Sequence, residues 1–188
     1  MSDPRDEFLE NVDFKDVKIK EHPNIAFLCG GNPESVFDDK SKKQKYLSVR
    51  AYISAKLTIN YPNLYVKNAE DVKDWNSYSA YDDLIEFERD IAHICKAIIL
   101  FVESAGSIAE LGSFAIIPEV SEKLLVYVDQ KYSGSNSFLA LGPLKKIKDQ
   151  EVTNVNYIPW ATEPLKIAHT EIEVIVEGSM GKWDRCYL

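Results

Sequence analysis

The chain has 188 residues, 45% hydrophobic and 28% charged, with only 8 Gly and 8 Pro, which fits one globular domain and excludes disordered, collagenous and low-complexity classes. Its 22 Lys plus Arg against 30 Asp plus Glu leave a formal charge of −8, a surface that repels polyphosphate and argues against independent nucleic-acid binding. No apolar run approaches the roughly 18–20 residues of a membrane helix, and the opening Ser2-Asp3-Pro4-Arg5-Asp6-Glu7 lacks the basic-then-apolar plan of a signal peptide, so a cytoplasmic protein without membrane contact is expected.

Residues 1–23 are charged and patchily apolar and read as an N-terminal arm or short helix. Ile25 to Cys29 form a continuous apolar run ended by Gly30 and Gly31, the pattern of a strand buried on both faces. A helix is expected over 41–58 from the three-and-four spacing of Tyr46, Val49, Ile53 and Leu57, with Lys42, Lys43, Lys45 and Arg50 at its other positions. A second strand follows at 64–66, a helix from about 80 to 96, and the clearest strand at 97–102. Then come a helix from about 107 to 117 and a strand at 124–128. After Gly142 and Pro143 the pattern weakens, with 152–158 as a fifth strand and 171–176 as a further strand or helix end. Strands and helices alternate, so the fold class is α/β: an open, mostly parallel, flavodoxin-like sheet with helices on both faces. The domain is a single unit over 1–188, with its core at 24–148 and its completion at 149–188.

In such a sheet, ligands bind beyond the carboxyl ends of the strands. That rule gathers Cys29-Gly30-Gly31, the segment containing Glu70 and Asp71, and Glu103-Ser104-Ala105-Gly106-Ser107 around one crevice. Gly30-Gly31 is neither a dinucleotide fingerprint nor a P-loop, and reads either as a place where backbone nears a ligand or as an ordinary tight turn. Ser107-Ile108-Ala109-Glu110 has two readings: a capping box with Ser107 as the cap, or a first-turn carboxylate aimed into the crevice as a nucleophile. On the preceding helix, Leu84, Phe87, Ile91, Ile94 and Cys95 make an apolar stripe, and Glu88 falls inside it. A carboxyl there is costly unless it is paired or protonated, which makes Glu88 a candidate for proton transfer beside the simpler reading of a hydrogen-bonded structural acid. Two carboxyls in unlike surroundings suit substitution at an acetal-like carbon, including a base–sugar bond. Cys29, Cys95 and Cys186 have neither disulfide nor zinc spacing, His22, His93 and His169 are scattered, and no metal site is expected.

Taken together, Phe27-Leu28-Cys29-Gly30-Gly31, the run from Ile98 to Ser107, Glu110-Leu111-Gly112-Ser113-Phe114, and Ser137-Phe138 with Gly142-Pro143 resemble the effector proteins of bacterial retrons. The likeness is to those effectors whose N-terminal domain is like nucleoside 2-deoxyribosyltransferase. The resemblance covers roughly residues 24–148. It implies that Glu110 is the nucleophile that takes the sugar, that Glu88 stands where the family more often has Asp, and that Glu103 is the acid after the strand. It further implies an N-glycosidase acting on a nucleotide, with NAD+ as substrate rather than cofactor, serving as the toxin of an anti-phage system. The alternatives are a nucleoside 2-deoxyribosyltransferase and a non-catalytic nucleotide-binding or scaffold domain. Homo-oligomers and association with a reverse transcriptase–msDNA complex are implied as well, the latter through Lys42, Lys43, Lys45, Lys145, Lys146 and Lys148 unless these form solvated helix faces. A C-terminal winged-helix part belongs to the resemblance; 188 residues give it no space beside the core, so a compact member, a separated subunit or a shortened form is expected.

Overall fold

The computed structural model describes residues 24–71 and 81–159; the expected N-terminal arm and the element at 171–176 lie outside them. The elements are β1 (Ile25–Cys29), β2 (Ser35–Asp38), β3 (Lys43–Tyr46), α1 (Val49–Asn60), β4 (Tyr65–Asn68), α2 (Leu84–Ile94), β5 (Ala97–Phe101), α3 (Ala105–Phe114), α4 (Pro118–Ser121), β6 (Leu124–Asp129), α5 (Lys145–Gln150) and β7 (Val155–Ile158). Five strands form one parallel sheet in the order β4-β1-β5-β6-β7. Numbered within the sheet this is 2-1-3-4-5, the flavodoxin-like order, and the chain reverses direction across the sheet between β1 and β5. The expected α/β class and parallel sheet are present.

Side-chain alternation along the strands builds two layers. Ala26 and Leu28 of β1, with Ile99, Phe101, Leu125 and Tyr127, pack against Val49, Ile53 and Leu57 of α1. Phe27 and Cys29, with Ile98, Leu100 and Val126, face the other way, toward Ala92 of α2, Leu111 and Phe114 of α3, and Ile147 of α5. Burying each of the larger aliphatic side chains completely stabilises the fold by about 2 kcal/mol before entropy is counted. Everything at the end of β1 therefore follows one parity rule: Leu28 looks toward α1 and Cys29 toward α2 and α3.

Three expectations change. The helix expected over 41–58 begins at Val49, and residues 35–46 form an antiparallel hairpin instead. Lys42 takes a left-handed φ of 54° at its turn, where Asp38 accepts from the Lys40 amide and the Ser41 hydroxyl; a helix cannot pass through that conformation. Ser48 caps the true start by accepting from the Ala51 amide. Lys42, Lys43 and Lys45 consequently belong to a hairpin and not to a helix face. Arg50, expected outside the buried stripe, is 1% exposed. In α2 the buried stripe is rotated: Phe87, Glu88 and Ala92 are buried, whereas Leu84 and Ile94 are exposed. Near Pro143 the chain makes a π-type turn over Ala140–Leu144, wide enough for a residue with no N–H to donate, before α5 resumes regular helix. On α5, Lys145 pairs with Asp149, and Lys148 both donates to the Tyr157 hydroxyl and lies over its ring.

Candidate active site

The end of the sheet at the reversal is assembled by its own loops. Hydrogen bonds from the backbone amides of Val49 (2.8 Å), Arg50 (3.0 Å) and Gly31 (3.4 Å) all end on the carboxylate of Glu103, just past β5. Glu103 thus caps α1 from a distant part of the chain, and the orphan amides of that helix end find an anion. Burial pushes its carboxyl upward while the three amides pull it down; the net shift is upward. The loop after β5 is tied down in turn. Ser107 Oγ accepts from the Glu103 and Ser104 amides, Ser104 Oγ accepts from the Ser107 amide, and Ser104 Oγ donates to the Gly30 carbonyl.

Both readings of Ser107-Ile108-Ala109-Glu110 are therefore revised. The cap of helix α3 lies three residues earlier than the sequence suggests, its capping box is Ser104 with Ser107, and Glu110 lies in the second turn, where it caps nothing. The glycines are explained by the same packing. A Cβ on Gly30 would stand 3.1 Å from the Cβ atoms of Arg50 and Phe101, and one on Gly31 would stand 2.9 Å from Ser48 Cβ. The close approach that these glycines permit is made by α1 and Glu103.

Arg50, in the first turn of α1, reaches across the end of β1. Its guanidinium donates to the Leu28 carbonyl (3.3 Å) and holds Glu70 with two bonds of 2.9 and 2.7 Å. Glu70, in the single turn after β4, keeps 45% of its side chain exposed. Its neighbour Asp71 accepts from the amide and side chain of Asn68, closing that turn. The Nε–H of Arg50 is buried without an acceptor among the described residues.

On the other side of β1 stand Glu88, from the buried stripe of α2, and Glu110, from α3. Glu88 is 8% exposed. One carboxyl oxygen of Glu110, Oε2, is buried with no hydrogen-bond partner among the described residues. Burial raises Glu88 to about 7, reinforced by the negative charge of Glu70 and opposed by Arg50. Glu110 is likewise raised to about 7, first by burial, then by Glu88, with Arg50 opposing and Glu70 adding. Cys29, fully buried in the core between β1 and these helices, has its thiol pushed well above the usual range, mainly by burial and then by Glu110 and Glu88. It is a closed-off thiol and a poor nucleophile.

The geometry brings Cys29, Glu70, Glu88, Glu103, Ser104, Ser107 and Glu110 around one end of the sheet. It divides them into a scaffold (Glu103, Ser104, Ser107), a charge pair (Arg50, Glu70) and two under-solvated acids (Glu88, Glu110). Gly106 sits exposed in the first turn of α3, beside this cluster. Among the described residues no group of three or more His, Cys, Asp or Glu is arranged to hold a metal ion, and no helix is long and apolar enough to cross a membrane. Arg50 is the member that sequence reasoning missed. Arg50, Ile53 and Leu57 keep the same three-and-four step as the buried stripe, so a signal is present, but the stripe drawn through Val49 leaves Arg50 outside it.

Two acids raised to near neutrality can divide labour, one ionised and attacking while the other carries or accepts a proton. Two Escherichia coli proteins are similar to this chain. "Retron Ec73 putative ribosyltransferase/DNA-binding protein" is 31% identical over 150 residues, covering 75% of this chain and 44% of that protein. "Retron Ec86 putative ribosyltransferase/DNA-binding protein" is 31% identical over 123 residues, covering 65% and 36%. The chain thus spans less than half the length of these curated relatives. A family model described as STM3845 retron effector protein matches residues 46–180, which takes in α1 with Arg50, both acids and the loop after β5. On that match, over more than half of its length, the chain belongs to the STM3845 retron effector protein family.

Proposed function

We propose that the chain is the glycosidase part of a retron effector, a nucleoside deoxyribosyltransferase-like domain that cleaves the base–sugar bond of a nucleotide, with NAD+ as the leading substrate. The observation that carries this reading is the pair Glu88 and Glu110. They project from neighbouring helices at the sheet reversal, little solvated and held near neutrality. An ionised Glu110 attacks C1′ of the nicotinamide-bearing ribose and forms an ester as the C1′–N bond breaks. The bonding pair moves to the ring nitrogen and cancels its positive charge, so nicotinamide leaves neutral and needs no proton. Water then attacks C1′, Glu88 accepts its proton, and the pair of the C1′–O bond returns to Glu110. The products are nicotinamide, ADP-ribose and a proton. Glu88 and Glu110 also supply negative charge where the sugar becomes cationic, and this setting suits a cationic base better than a bare phosphate.

The names of the two Escherichia coli relatives favour a second reading, transfer of the ribosyl group to an acceptor base in place of water. Both readings use the same ester on Glu110. Incubation with NAD+, and separately with deoxynucleosides plus a free base, separates nicotinamide release from base exchange by chromatography. Glu110→Gln is expected to abolish turnover on whichever substrate the parent consumes, while retaining ligand binding. Full turnover by Glu110→Gln would overturn the site. On this reading the effector works as a homo-oligomer in company with a reverse transcriptase–msDNA complex, cutting nucleotides as the toxic arm of an anti-phage system; that association is supported by membership of the retron effector family.

A further inference from the structure

The two acids account for the proposed chemistry, but they leave unexplained why a buried arginine and a half-exposed glutamate are built next to them. Charged side chains are seldom buried without a partner, and desolvating an arginine is costly even with one. Here the cost is borne in the first turn of α1, at a position that points under the end of β1. The guanidinium is held on two sides, by the Leu28 carbonyl and by the two-bond fork to Glu70. It has little freedom to swing toward a ligand. Two bonds to a carboxylate fix its plane as well as its place.

We propose that Arg50 is a positioning residue for the reaction, a fixed positive charge facing the Glu88–Glu110 pair across the end of β1, and that Glu70 is its solvent-side regulator. The charged and titratable groups around the two acids come from every element that meets there: Cys29 from β1, Arg50 from α1, Glu70 from the turn after β4, Glu88 from α2, Glu103 from the loop after β5, and Glu110 from α3. Of these, Cys29 stays a neutral thiol, and Glu103 is spent on the amides of Gly31, Val49 and Arg50. Arg50 is the one cation in this set of described residues. Its Nε–H, buried with no acceptor among them, leaves part of the guanidinium's charge uncompensated by direct bonds. Glu70 neutralises much of the remainder, yet with 45% of its side chain exposed it can be drawn off or neutralised from solvent. A hydroxyl-rich part of a nucleotide that donated to Glu70 would change how strongly Arg50 favours ionised acids.

This role in the reaction rests on the glycosidase reading, but the electrostatic coupling can be measured without turnover. The parent, Glu70→Gln, Arg50→Lys and Arg50→Gln are prepared with carboxyl-labelled glutamate, and the titrations of Glu88 and Glu110 are followed by NMR, assigned with Glu88→Gln and Glu110→Gln. Glu70 raises both acids and Arg50 lowers both, so Glu70→Gln is expected to move their midpoints down by roughly half a pH unit to one unit. Arg50→Gln moves them up, and Arg50→Lys, which keeps the charge and loses the fork, lowers thermal stability with a smaller change in the midpoints. The acidic limb of the pH–rate profile shifts with the midpoints. Should Arg50→Gln fail to fold, Glu70→Gln, altered at an exposed carboxyl, decides the question. Unmoved midpoints in a folded Glu70→Gln would reduce the pair to a structural salt bridge and overturn the proposal. A parent protein without turnover on any nucleotide would instead remove the glycosidase reading, and the titrations alone would then decide whether Arg50 and Glu70 set the two acids.

Discussion

Replacing Glu88 by glutamine tests the physical state of the site more directly than any activity assay. An acid raised from 4.5 to about 7 by folding binds its proton more tightly in the native chain than in the unfolded one. Its contribution to stability is therefore fully present below about pH 4.5, declines as pH rises, and is lost once pH passes about 7. The rise from 4.5 to about 7 corresponds to roughly 3 kcal/mol of penalty on the native state above pH 7. Glutamine keeps the size and one carbonyl of the side chain but never ionises. Glu88→Gln should therefore match the parent to within about 1 kcal/mol at pH 4.5 and exceed it by about 3 kcal/mol at pH 8. The neighbour increases the gap, because Glu88 is itself one cause of the raised Glu110; the two acids titrate as a pair, and removing one eases the other. Urea denaturation at pH 4.5, 6, 7 and 8 measures the difference. A pH-independent difference between variant and parent would refute the claim that Glu88 is held in a desolvated, proton-retaining environment, and the division of labour between the two acids would fall with it.

The other expectations follow from packing and burial. Gly31→Ala would put a methyl group 2.9 Å from Ser48 Cβ and 3.3 Å from Glu103 Cβ, so it should destabilise the fold by about 1–3 kcal/mol in a thermal or urea melt. An unchanged melt would mean that the loop after β1 is not clamped by α1. Cys29 and Cys95, both buried and with thiols shifted upward, should resist iodoacetamide at pH 8 in the native protein and react after unfolding, read by peptide mass spectrometry. Rapid native labelling of Cys29 would show that the end of β1 is open to solvent and that Glu88 and Glu110 lack their shielding.

Strand positions and the parallel sheet were readable because unbroken apolar runs such as Ile25–Cys29 and Ala97–Phe101 have few other physical solutions. Glu88 was readable for a related reason, since a lone acid inside an apolar stripe conflicts with its surroundings unless something useful is made of it. The hairpin at 35–46 escaped because its residues are mostly exposed, and an exposed pair of short strands leaves little hydrophobic period to read. Glu103 could be named from the chain, but its role as a remote helix cap could not, because the amides it serves are 53, 54 and 72 residues away. Arg50 shows the limit most plainly. The stripe through Tyr46, Val49, Ile53 and Leu57 leaves Arg50 among the other positions of the helix, yet the folded chain buries it. The conflict is resolved by Glu70 and the Leu28 carbonyl, partners 20 and 22 residues away that come within hydrogen-bonding reach only after β1 and β4 have paired. Local pattern carries the elements and the acids they present, because solvation acts residue by residue. The balance of charge at this end of the sheet is a sum over separate segments of the chain, and it has no value until the sheet has brought them together.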